Sequence, residues 1–372
     1  MNDIPRKVIT PKNVTDALRT VIFPGSGQDI VTLEMVQEIR VAGKSVNFSL
    51  VFQRSDDPNI DLIVEKCGQA ITEQLGSDVP IQGNIAVKYI HDMERPILPG
   101  VKNIVAVASG KGGVGKSTVA VNLAVALART GATVGLIDAD IFGPSIPKMF
   151  GAEGERPAAD TSGKRNMIVP IEKFGVKFIS IGFFVEPESA LIWRGPMASN
   201  ALKQLIADCK WGSLDYLLVD LPPGTSDIHL TLVQAVPVTA AIIVTTPQDV
   251  ALADVVKGVN MFQSKSVNVP VLGLVENMSW FTPAELPENK YYIFGKDGGK
   301  KLAHDMGHVF LGQIPLVQSI REGGDEGMPA VLNNETVTGL AFEELAAKVI
   351  EQLEIRNKSI APTEKVRVTR KH

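Results

Sequence analysis

Cysteine is nearly absent from this sequence: Cys67 and Cys209 are its only two thiols, and neither belongs to a C-x-x-C pair. A disulfide framework is thereby excluded, and both residues read as buried, inert thiols. Long apolar runs are also missing. No stretch approaches the roughly 18 residues of a membrane span, and the most apolar segment, Ala240 to Thr246, has the length of a buried strand. Met1 to Lys12 is polar and lacks the apolar region of a secretory signal. These absences lead us to expect a cytoplasmic protein without a membrane partner. Positive charge is not in excess either, with 37 Lys and Arg against 41 Asp and Glu and a net charge of −4. Sequence-independent nucleic-acid binding runs on Lys and Arg neutralising phosphates, so no nucleic-acid partner is expected.

What is present has the balance of a globular protein, 45% hydrophobic and 21% charged over 372 residues, a length that suits two domains. Residues 1–92 read as a small α+β domain. Val14 to Val21 is helical in pattern. Ile30 to Ile39 and Ser45 to Phe52 alternate as strands around the turn-prone Ala42-Gly43-Lys44. Asp61 to Leu75 carries Leu62, Ile63, Cys67, Ala70 and Ile71 at helical spacing, and Ile85 to Ile90 reads as a closing strand. Two prolines and a glycine in Glu94 to Gly100 mark a linker, placed at 93–101.

Over 102–355 the pattern changes to compact apolar runs alternating with helical segments. Strands are expected at Ile104–Ala108, Thr133–Ile137, Lys177–Ile181, Tyr216–Val219, Ala240–Thr245 and Val271–Val275. Helices are expected at Lys116–Thr130, Ala198–Lys210 and Ala251–Lys265. This alternation implies an α/β fold with a mainly parallel sheet and helices on both faces. Thr338 to Ile355 forms an amphipathic helix whose polar face holds Glu343, Glu344, Glu351 and Glu354. A membrane-surface helix carries Lys and Arg there, so this one is expected to pack on the domain. The basic tail 356–372 reads as disordered.

Gly110-Lys111-Gly112-Gly113-Val114-Gly115-Lys116-Ser117 fits G-x-x-x-x-G-K-[ST] between an expected strand and an expected helix. Glycines let backbone N–H groups turn toward phosphate oxygens, and the helix N-terminus adds partial positive charge. Lys116 would reach the β- and γ-phosphates of ATP, and the Ser117 hydroxyl would join the Mg2+ shell. The nucleotide-binding set is thus Gly110 through Thr118. Asp138-Ala139-Asp140 ends a strand, placing Asp140 to orient an attacking water and Asp138 near the metal. Asp220 closes another apolar strand, as a Mg2+-holding carboxylate does. Pro222-Pro223-Gly224 after it is stiff and then free, which suits a γ-phosphate sensor.

The second lysine of the motif, Lys111, makes this loop resemble the deviant Walker A of the nitrogenase iron protein, MinD and ParA family. The resemblance implies a homodimer in which Lys111 contacts the partner subunit's nucleotide. It also implies that Asn277 reads the adenine edge, with Gln313-Ile314-Pro315 covering the other side of the base, and a catalytic set of Lys111, Lys116 and Asp140. Asp138 to Pro147, Arg194 to Met197, Asp220 to Asp227, Glu276-Asn277-Met278 and Ile320 to Gly324 look like the Mrp/ApbC branch. Residues 1–92 are similar to the iron–sulfur assembly domain fused ahead of that branch. Slow Mg2+-dependent ATP hydrolysis, an iron–sulfur cluster bridging the dimer, and exchange with scaffold and recipient apoproteins are what this resemblance implies.

One departure stands out. Branch members carry a C-x-x-C shortly after E-N-M, whereas Ser279 to Asn289 here contains no cysteine. A cluster needs about four thiolates or substitutes. Cys67 and Cys209 from two subunits would supply that number, and so would a partner protein's thiols. The readings left open are a cluster carrier, a cluster-free ATPase scaffold, and a MinD/ParA-like positioning ATPase.

Overall fold

The structure is a computed structural model that describes residues 9–24, 26–43, 45–52, 57–76, 79, 84–89, 98–141, 143–163, 166–184, 195–283, 285–286 and 288–366. The chain divides into two units, Met1–Pro96 and Ile97–His372. Arg194, within a sequence motif considered above, lies outside the described residues.

In the first unit, Thr10 caps helix α1 (Pro11–Leu18) by accepting the Asn13 N–H at 3.3 Å. Proline opens the helix, where its missing N–H costs nothing. Strands β1 (Val36–Ala42) and β2 (Ser45–Phe52) pair antiparallel. Helix α2 (Ile60–Leu75) then crosses over to β3 (Ile85–Tyr89), which runs parallel to β2 and gives the order β1-β2-β3. The strand expected from Ile30 begins only at Val36. Asp29 accepts the N–H groups of Val31 and Thr32 at 3.0 and 2.8 Å and turns the chain there instead. Phe48, Leu50, Phe52, Ile63 and Cys67 fill the core.

In the second unit the chain order is β4 (Val101–Ser109), α3 (Lys116–Arg129), β5 (Val134–Asp138), α4 (Ile146–Met149), β6 (Ala158–Asp160), β7 (Met167–Val169), β8 (Ile171–Lys173) and β9 (Val176–Ser180). It continues with α5 (Gly195–Ala207), β10 (Leu214–Asp220), α6 (Asp227–Ala235), β11 (Ala240–Thr245), α7 (Asp249–Gln263) and β12 (Val271–Glu276). The last elements are α8 (Gly298–Asp305), β13 (Phe310–Gln313), α9 (Gln318–Glu326) and α10 (Val337–Ser359). Eight strands form one sheet in the order β13-β12-β11-β4-β10-β5-β9-β8, parallel except for the edge strand β8. Every residue of β5 and β11 is buried, as a sheet covered on both faces requires.

Crossover handedness places the helices. From β4 to β5 the chain steps one way along the sheet, and from β10 to β11 it steps the other way. Right-handed crossovers therefore put α3 and α6 on opposite faces. The packing agrees, with α10 against α3 and α5 against α6. The reversal opens a crevice at the carboxyl ends of β4 and β10, the place where open α/β sheets bind ligands.

The C-terminal end corrects one expectation. Helix α10 runs on to Ser359, and the chain beyond it is anchored as far as Val366, which packs on the core, rather than disordered. Arg356 is buried and donates to the Ala361 carbonyl at 3.1 Å and to Thr363 Oγ1 at 2.6 Å, while the Val366 N–H donates to the Val233 carbonyl at 3.0 Å. Basic composition alone does not show such anchors. Among the described residues no helix is long and apolar enough to cross a membrane.

Candidate nucleotide site

Strand β4 delivers the chain into the glycine-rich loop, and α3 starts at Lys116. Two glycines there are dictated by space. A Cβ on Gly110 would fall on the α7 backbone at Asp254 and Val255. Gly115 sits at φ 78, a left-handed conformation that L side chains avoid, and a Cβ would strike the Asn277 amide. Lys116 is 6% exposed, and its ammonium donates to Asp220 Oδ1 at 2.6 Å and to Ser117 Oγ at 3.2 Å. The Ser117 hydroxyl donates to Asp220 Oδ2 at 2.6 Å. A residue of the loop and a carboxylate more than a hundred positions away thus close one buried network. Lys111 lies exposed, and its ammonium has no partner among the described residues.

Asp138 and Asp220 are register partners at the ends of β5 and β10. Asp138 accepts from the Asp140 N–H at 3.2 Å, the Ile146 N–H at 3.3 Å and the Ser180 hydroxyl at 2.8 Å. Burial, with the neighbouring Asp220 charge, pushes its carboxyl up to about 7. Burial also raises Asp220, against the pull of Lys116. One ammonium faces two buried carboxylates here. The loop after Asp220 returns to the base of the glycine-rich loop, where the Gly224 N–H donates to the Ser109 carbonyl at 2.9 Å.

A cleft of about 220 Å³ is lined by Lys111, Gly113, Lys116, Ser117, Asp140 and Pro223. The structure brings these phosphate-site residues together. A second cleft of about 390 Å³ shares Gly115 and Thr118 and adds Asn277, Pro315, Ile320 and Arg321. Asn277 faces it while donating its amide to the Val114 carbonyl at 2.9 Å. Gln313, expected beside the base, is instead tied to Glu276 Oε1 at 2.8 Å and Asp297 Oδ1 at 2.9 Å.

Several contributors were not visible beforehand. Glu276, fully buried, also accepts the Gly299 N–H at the start of α8 at 2.6 Å. Ser180 holds Asp138 from β9. The walls supplied by α4 and α9 join the site only through the fold. The E-N-M and I-R-E-G-G strings were the available signals.

Both thiols, considered above as cluster ligands, are withdrawn from solvent. Cys67 is fully buried and Cys209 is 4% exposed, they lie in different units, and burial pushes each thiol up to about 12. Among the described residues no group of three or more His, Cys, Asp or Glu gathers as a metal site.

Comparison with known proteins agrees with the geometry. Residues 100–350 match the family described as ParA, NUBPL iron-transfer P-loop NTPase, and residues 11–82 match the iron–sulfur cluster assembly protein family. The iron–sulfur cluster carrier protein of Synechocystis is 42% identical over 352 residues, covering 92% of this chain and 97% of its own. The iron–sulfur cluster transfer protein NUBPL of Dictyostelium discoideum is 48% identical over 262 residues, 70% of this chain and 79% of its own. Among solved structures, a nucleotide-binding protein of Archaeoglobus fulgidus in complex with ADP is 37% identical. It aligns with a TM-score of 0.54 over 62% of this chain and 90% of its own. MinD of Pyrococcus horikoshii with Mg-ADP is 26% identical, with a TM-score of 0.50 over 69% of this chain and 99% of its own. The chain therefore belongs to the iron-transfer P-loop NTPases, nucleotide-hydrolysing proteins, and carries an iron–sulfur cluster assembly domain ahead of the NTPase unit.

Proposed function

We propose that this protein is an ATP-hydrolysing carrier or assembly factor for iron–sulfur clusters, working as a homodimer in the cytoplasm, and that the thiolates holding its cargo come from partner proteins. The observation that carries this reading is the pairing of a glycine-rich phosphate loop and its buried Lys116–Asp220 network with cysteines that are buried. In this reading Lys116 leaves Asp220 for the β- and γ-phosphates. Ser117 and Asp220 offer hydroxyl and carboxylate oxygens, the donor set a Mg2+ ion takes, with Asp138 behind them as the positioning carboxylate. The ion supplies neutralisation of developing phosphate charge. Asp140 orients the attacking water, and such hydrolysis rests mainly on positioning and electrostatics. Asn277 meets the base edge. Lys111, exposed and unpaired among the described residues, is free to cross to a partner subunit's nucleotide.

Anaerobic reconstitution with ferrous iron and sulfide tests the cargo. Iron and sulfide content and visible absorption are read for the wild type, for Cys67→Ala/Cys209→Ala, and for the wild type mixed with a cluster-loaded thiol scaffold and an apo-ferredoxin. The expected result is no thiol-dependent cluster on the protein alone, and ATP-stimulated transfer in the mixture that Lys116→Ala removes. A cluster that forms on the wild type and vanishes in the double cysteine variant overturns the partner-thiol reading. Transfer indifferent to ATP and to Lys116→Ala overturns the carrier reading.

A further inference from the structure

A cavity of about 850 Å³ lies away from the candidate nucleotide site. Its walls include Gln234 in the last turn of α6 and Pro270, which directly precedes β12. It therefore opens at the amino ends of the strands, whereas the phosphate cradle lies at their carboxyl ends. The outer wall is the segment following α10. That segment is fastened twice, by Arg356 to Ala361 and Thr363 and by Val366 to Val233, so residues 361–365 arch between two anchors.

Arg356 lines this cavity and is 7% exposed. Its Nη1 donates to Asn357 Oδ1 at 3.2 Å and its Nη2 to the two strap oxygens, but its buried Nε has no partner. Among the described residues no carboxylate pairs with it, although twelve Lys or Arg ion pairs form elsewhere among them. A buried charge left uncompensated is strongly destabilising. Burial correspondingly lowers the Arg356 guanidinium below its ordinary value. Lys265 and Lys365 add two more cations to the lining, against the single carboxylate of Glu364. Leu230, Val267 and Ile360 supply apolar surface beside them. The volume is that of small-molecule sites, which combine apolar walls with a few placed polar groups.

We propose that this cavity is a binding site for a small organic anion, whose carboxylate or phosphate group pairs with Arg356 and the flanking lysines while its apolar body lies against α6. Neither the nucleotide nor the cluster cargo accounts for this site.

The test uses the full chain saturated with Mg-ADP, so that the phosphate cradle is occupied. Benzoate, phenyl phosphate and neutral benzyl alcohol are titrated by calorimetry at constant ionic strength. At least one anion should bind saturably, and which one binds identifies the head group. Benzyl alcohol should bind at least tenfold more weakly. Lys265→Met/Lys365→Met leaves the Arg356 clasp intact and should weaken the anion about tenfold or more, with Mg-ADP affinity unchanged as the check on folding. Bound anion should also slow hydrogen exchange at the Val366 amide. Binding of neither anion by the wild type overturns the proposal. So does undiminished binding by the double variant, or equal binding of the alcohol.

Discussion

Replacing Glu276 by Gln changes one atom and disturbs three elements at once. The carboxylate accepts the Gly299 N–H at 2.6 Å and the Gln313 amide at 2.8 Å, with no exposure to water. Glutamine can accept only on one side. Its amide nitrogen then faces either a helix N–H or the Gln313 donor. Turning the Gln313 amide around does not relieve this, because the same nitrogen also donates to Asp297 Oδ1 at 2.9 Å. A flipped oxygen would meet that carboxylate. A lost hydrogen bond to a charged group costs about 1.5–3 kcal/mol, and removing the anion from the start of α8 adds about 0.3–1 kcal/mol. The expected total is about 3 kcal/mol. For the NTPase unit this corresponds to a Tm lowered by roughly 6–12 °C. Thermal unfolding by circular dichroism measures it, with Mg-ADP titration beside it, since Asn277 follows Glu276 directly. The swap Glu276→Gln/Gln313→Glu restores one pairing but opposes Asp297, so it should recover only part of the loss. A Glu276→Gln protein within about 1 kcal/mol of wild type refutes the reasoning.

Gly115→Ala places a Cβ against the Asn277 amide at a left-handed backbone position, so Mg-ADP affinity should fall at least about tenfold, or 1.4 kcal/mol. Adding Asn277→Ala removes the obstacle, and the double variant should lose less than the two single losses combined. Asn122→Ala strips the Val331 N–H of its acceptor at 3.0 Å inside a buried site and should cost about 2 kcal/mol in urea unfolding. His229 is held neutral, since burial pushes it from 6.5 down to about 4. Between those values the unfolded chain takes up a proton that the native state refuses, so stability is full above pH 6.5 and falls as pH drops. Urea midpoints should show about 2 kcal/mol lost through this residue by pH 5, and His229→Gln should flatten that slope; identical slopes in the two proteins count against it.

How much of this was legible in the sequence follows from how local each feature is. The glycine-rich loop is contiguous, and its chemistry is written in its spacing. The buried strands β5, β11 and β12 are continuous apolar runs, legible for the same reason. Short pieces were not. β6, β7 and β8 have three residues each, too few to display a period. Helix α9 carries Gly323 and Gly324 in its interior, against helix propensity. Packing against α4 offsets this, and Gly323 is required where the helix ends, because a Cβ there would fall on the Met328 backbone. The strand expected from Ile30 failed because Asp29 makes a turn that alternation does not register. The buried polar partners, Lys116 with Asp220 at 104 positions and Glu276 with Gly299 at 23, are separated in the chain, which a single sequence does not encode locally.

The buried network of the phosphate site is short of positive charge, and this shortage gives a nucleotide its leverage. Lys116 alone faces Asp220, with Asp138 beside it pushed up to about 7. Phosphates that draw Lys116 away leave Asp220 needing another cation, so nucleotide and Mg2+ belong together. Asp220 opens the segment Leu221 to Thr225, which leads into the Ser226 cap of α6, and His229 Nδ1 accepts the Ser226 N–H at 3.2 Å. The last turns of that same helix hold Val233, where the strap is anchored, and Gln234, which lines the anion cavity. One helix therefore begins just after Pro223, which lines the phosphate cleft, and ends at the second site. Any effect of an anion on Mg-ADP affinity must be returned as an equal effect of Mg-ADP on anion affinity. The two titrations therefore check each other without further assumption.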